Sequence, residues 1–105
     1  MGLLPRPRRR RLRRVVLTIY KYTASMTQAL LRAASSQLID PAFIKKLAAV
    51  KDNLEALAAT VKMHSENNKE HGTRQLLNHA MVQVDEAANM LVYLCKILDL
   101  ERAEL

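Results

Sequence analysis

The chain holds one cysteine, two glycines and three prolines, and no tryptophan. A lone Cys95 excludes an internal disulfide and favours a reducing compartment. With only Gly2 and Gly72, the chain has no glycine-rich loop to cradle phosphates. Glu-x-x-His pairs are absent, which removes the two-metal site built into some helical bundles. No window of about 18 residues is apolar and uncharged, so no spanning helix is expected. The apolar run Val15–Tyr20 is cut by Lys21, too early for a secretion signal. Residues 1–39 contain no acidic side chain at all.

What is present is half apolar by composition, in 105 residues. That suits one domain with one core and leaves little room for a large enclosed cleft. The net charge of +7 is unevenly placed. Residues 1–39 carry nine basic side chains, whereas residues 40–105 carry eight basic and ten acidic ones. The stretch "PRPRRRRLRR" concentrates the excess in Arg6, Arg8, Arg9, Arg10, Arg11, Arg13 and Arg14. Mutual repulsion, with Pro5 and Pro7, predicts a disordered basic arm over residues 1–10.

Breakers divide the remainder evenly. After Pro7 come Pro41 and Gly72, then none. Asp40-Pro41 is a helix start: the carboxylate accepts a free amide and proline has none to leave unpaired. Phe43, Leu47, Val50, Leu54, Leu57 and Val61 then recur at fours and threes, one face of a helix over about 41–67. Leu77, Ala80, Val84, Ala87, Leu91, Leu94 and Leu98 repeat that pattern over about 74–99, after a turn in which Thr73 can cap. In the first segment, Leu12, Val16, Ile19, Thr23, Met26, Leu30 and Ala33 fit a helix over about 11–38. The β-branched run Val15–Thr23 would also suit a strand, but the segment is far longer than strands are. The expected fold is all-α: an antiparallel up-down-up three-helix bundle over residues 11–105. A partner or self-association could complete it to four or more helices.

Catalytic and metal readings are weak. His64, His71 and His79 share no helical register, so they read as ordinary side chains, with His64 tucked at the bundle end. Cys95 lies on an apolar stripe with no histidine three or four residues away, and reads as a small buried hydrophobe. Asp85 and Glu86 read as a solvated pair. The chain is therefore expected not to be an enzyme, to need no cofactor or metal, and to take no small-molecule substrate.

Two features remain to be used. The arginines can bind an anionic surface: phosphates of nucleic acid, without sequence preference, or an anionic membrane. They also suit a nuclear-import patch. Residues 1–39, rich in Arg, Ser and Thr, further resemble a mitochondrial presequence; the matching length of the three segments argues against its removal. The second feature is an apolar excess on the first and third segments. Val15, Leu17, Tyr20, Tyr22, Met81, Val92 and Cys95 exceed what three helices can bury. They are expected to line a groove for a partner helix from another protein, or for a second copy. The expected function is an intracellular adaptor or scaffold, in cytoplasm or nucleus, with mitochondrial import the lesser alternative. The alternative function is non-specific nucleic-acid binding through the arginines.

Overall fold

A computed structural model describes residues 6–66 and 72–104, with side chains for 10–66 and 72–100. The described residues form three helices and no strand: α1 (Arg6–Ala34), α2 (Pro41–Glu66) and α3 (Thr73–Glu104).

α1 departs most from expectation. Of the arm expected over residues 1–10, residues 1–5 lie outside the described residues, and α1 already begins at Arg6. Pro7 is compatible with that start, because amides of a first helical turn have no intrahelical acceptor. The run Val15–Thr23 is helical. Its threonines are accommodated by bonding back to the helix: Thr18 and Thr27 donate to the carbonyls of Arg14 and Thr23, each at 2.9 Å, and Thr23 to that of Tyr20 at 2.8 Å. α1 ends at Ala34, one residue past the last periodic position, Ala33, and four short of the expected end at about 38. The Ser35 amide and hydroxyl both donate to the Arg32 carbonyl, at 3.3 and 3.0 Å, and the Ser36 amide donates to that of Ala33 at 3.1 Å. Carbonyls that a further turn would have bonded are thus satisfied locally. Ile39 then enters the core.

α2 starts where the Asp-Pro step predicts. The Ala42 amide donates to Asp40 Oδ1 at 2.9 Å, and the amides of Phe43 and Ile44 donate to the Asp40 carbonyl. α3 starts after Gly72, whose φ of 82° is the left-handed conformation that glycine adopts without strain. The Leu76 amide donates to the Gly72 carbonyl at 3.0 Å. With no breaker beyond Gly72, α3 runs five residues further than predicted.

The core repeats every seven residues. Leu12, Ile19, Met26 and Ala33 of α1 are wholly buried, as are Leu47, Leu54 and Val61 of α2. Thr73, Ala80, Ala87 and Leu94 are the corresponding buried series of α3. A sustained seven-residue period is the signature of coiled-coil-like packing. α1 packs more extensively on α2 than either packs on α3. The result is a rod of 61 × 21 × 17 Å with a radius of gyration of 16.6 Å. A compact domain of this size would have a radius near 13 Å. So slender a body leaves much of each helix at the surface.

Candidate interaction surface

The inner stripe of α1 fixes what its other faces do. With Leu12, Ile19, Met26 and Ala33 inward, Val15 and Tyr22 fall beside them, half-buried against the core. Leu17 and Tyr20 fall outside, 61% and 48% exposed. Ala24 and Leu31, seven and fourteen residues beyond Leu17, continue that outer line, and Leu31 is 72% exposed. Arg10 precedes Leu17 by seven residues and Arg13 precedes Tyr20 by seven, so these arginines stand on the same outer face.

The predicted groove therefore divides. Tyr20 lies toward α2, sharing an open recess of ≈ 280 Å³ with Lys62, Ser65 and Glu66. Cys95 lies toward the other flank of α1, where Ser25, Ala29 and Arg32 meet Leu91 and Leu98 around a recess of ≈ 240 Å³. Met81 precedes Cys95 by fourteen residues, and both are exposed, as is Val92. The structure thus keeps Met81, Val92 and Cys95 as one surface on α3 and sets Leu17 and Tyr20 apart from it. The reading of Cys95 as a buried hydrophobe is overturned: the stripe it shares with Met81 lies just outside the Ala87–Leu94 core line.

The arginines surround an anchored residue. Leu12 is wholly buried, while Arg10, Arg11, Arg13 and Arg14 are exposed about it. The side chains of Arg6, Arg8 and Arg9 lie outside those described. Among the described residues, no carboxylate is within ion-pair distance of Arg10, Arg11, Arg13 or Arg14. α1 contains no acidic side chain, so the exposed Arg10, Arg11, Arg13 and Arg14 are uncompensated by the helix itself. Beyond Arg14 the chain holds ten basic and ten acidic side chains, so the whole excess charge lies in these first turns.

Elsewhere the chemistry is structural. His64 Nε2 and Thr73 Oγ1 are hydrogen-bonded at 2.7 Å across the α2–α3 turn, with Thr73 buried, so His64 does close the bundle end. His71 lies outside the described residues. His79 is exposed beside an open recess of mixed lining, Asn53, Thr60 and Gln83 with Ala56, Leu57 and Leu76, where the buried Gln83 Oε1 has no protein partner. Among the described residues, no three His, Cys, Asp or Glu side chains converge as metal ligands. No helix among them is long and apolar enough to cross a membrane. Sequence reading missed the outward placement of Met63, Val82 and Leu100, which follow no apolar repeat. The shared register of the arginines with Leu17 and Tyr20 was legible as a seven-residue spacing.

No protein-family model matches this chain, and no curated protein or solved structure does.

Proposed function

We propose that the chain is a non-catalytic helical-bundle interaction module, an adaptor or scaffold, drawn to anionic surfaces by the arginines of α1. The observation that carries this reading is α1 itself. It is acid-free and buried along one line, yet it exposes uncharged side chains along its outer face. An apolar surface of that kind marks a contact site. On the α3 flank, a fourth helix laid over Met81 and Cys95 would complete a four-helix core. It would come from another protein or a second copy, in a reducing setting such as cytoplasm or nucleus.

The up-down-up course belongs to this reading. It is supported by the early turns of α1 sharing a recess with the last turns of α2, and by the Phe43 ring lying 4.9 Å from that of Tyr93. A second reading, non-specific nucleic-acid binding, is favoured by the exposed arginines alone. Its mark would be a steep salt dependence, abolished when Arg10, Arg11, Arg13 and Arg14 become Gln.

A photoreactive maleimide on Cys95 tests the module reading. It should form adducts with a helical segment of a partner or of a second copy. The same probe at Met63→Cys, in a Cys95→Ser background, should form none. Equal labelling from both positions, with a monomer at high micromolar concentration, would contradict the proposal.

A further inference from the structure

We infer that the outer face of α1 is a lipid-seating surface, which lays the rod flat on an anionic bilayer with Leu17, Tyr20 and Leu31 at the acyl boundary and Arg10, Arg13 and Arg14 among the headgroups. The inference deepens the anionic-surface half of the proposed function and is independent of what occupies the α3 flank.

The argument begins with register. Arg10, Leu17, Ala24 and Leu31 are spaced by seven, and Arg13 and Tyr20 fill the line beside them. Because the inner line of α1 repeats with the same period, the outer line runs parallel to it and faces one way along the rod. From Arg10 to Leu31 it covers about 32 Å. No acid of α1 interrupts it, and Arg14 and Lys21 stand exposed beside it. The acid nearest this line is Glu66 of α2, which shares the recess of Arg13 and Tyr20 with Lys62. An interfacial helix combines such features: apolar side chains to enter the boundary, basic ones to hold the headgroups, and an aromatic of amphipathic shape between them. The side of an isolated interfacial helix that would face water is here bound to α2 and α3, so the bundle rides on the surface.

Neither feature suffices alone. Three part-exposed apolar side chains bury little, and arginines without insertion bind any phosphate-rich polymer. Together they form a two-signal anchor of modest, reversible strength. A nucleic acid would satisfy the arginines and leave Leu17 and Leu31 in water. A second copy paired α1 to α1 would bring the same acid-free cationic helix, and like charges would oppose that pairing. An anionic bilayer satisfies both sets.

The test is co-sedimentation of the full chain with phosphatidylcholine vesicles, with and without phosphatidylserine. The chain should bind only the phosphatidylserine vesicles. Leu17→Gln with Leu31→Gln, which changes no charge, should weaken that binding at least tenfold, the effect of withdrawing two part-buried leucines. Arg10→Gln, Arg13→Gln and Arg14→Gln should each weaken it about fivefold. Val82→Gln, an exposed apolar position on α3, should leave it unchanged. Circular dichroism of each variant establishes that the bundle is intact. A Tyr20→Trp reporter should shift to the blue on the vesicles. Absence of vesicle binding would overturn the inference. So would binding that survives the leucine changes, falls only with the arginines and is matched by a DNA duplex; that result belongs to the nucleic-acid reading. Cys95 adducts that persist when vesicle binding fails would leave the module reading standing and the lipid inference refuted.

Discussion

Leu54 has no exposed surface and sits midway along the heptad line of α2. Leu54→Ala should cost about 2–5 kcal/mol, because three thin helices can close only part of the cavity. Denaturant melts would read it. Gly72 makes a different demand. A methyl group there would meet nothing within 4 Å, so Gly72→Ala should be penalised by its φ of 82° alone. The expected cost is about 1–2 kcal/mol, with Gly72→Asn less affected. At the same turn, His64 and Thr73 hold α2 and α3 together through one hydrogen bond. A double-mutant cycle with His64→Ala and Thr73→Val should give a coupling of about 0.5–1.5 kcal/mol. A coupling near zero would mean that the His64–Thr73 bond adds nothing to stability.

At the scale of the helix, α1 carries an electrostatic conflict. Arg10 has arginines at i−4, i+3 and i+4, close to a helix start that already bears positive partial charge. Arg10→Glu should therefore stabilise the free bundle by about 0.5 kcal/mol, seen as a raised Tm that shrinks with added salt. A natural sequence that keeps the conflict is consistent with these side chains being matched by anions outside the chain. Most of the helix content was legible. The three-four spacing of α2 and the Asp40-Pro41 step give its position nearly to the residue. The ends of α1 were not legible in the same way. At one end, repulsion and proline argued for disorder over residues 1–10, whereas α1 begins at Arg6 and residues 1–5 lie outside the described residues; Leu12 is buried on the expected line. At the other, the apolar series stops at Ala33, and only the want of a breaker before Pro41 carries the expected helix on to residue 38, whereas serine hydroxyls and short-range amide bonds end it at Ala34. Absence of a breaker does not register carbonyl partners, so the expected end overran. The interaction surface was blurred for a related reason: wide apolar faces on two helices do not tell which flanks meet, so one groove was expected where α1 and α3 present separate surfaces.

At the scale of the molecule, a rod 61 Å long and two helices wide can carry two faces without conflict. The α2 flank and outer face of α1 bear the arginines, Leu17, Tyr20 and Leu31, while Met81 and Cys95 sit on the α3 side. A scaffold built this way would hold a surface with one face and a partner with the other. All of it requires α1 to be a helix docked along its inner line, because that docking alone orients the outer one. Amide hydrogen exchange over residues 12–33 of the full chain tests this most directly. The account predicts that amides from Val15 to Thr23 exchange as slowly as those of α2 around Leu54, opening only when the bundle unfolds. Exchange of that stretch at the rate of an unstructured peptide, with α2 still protected, would contradict it.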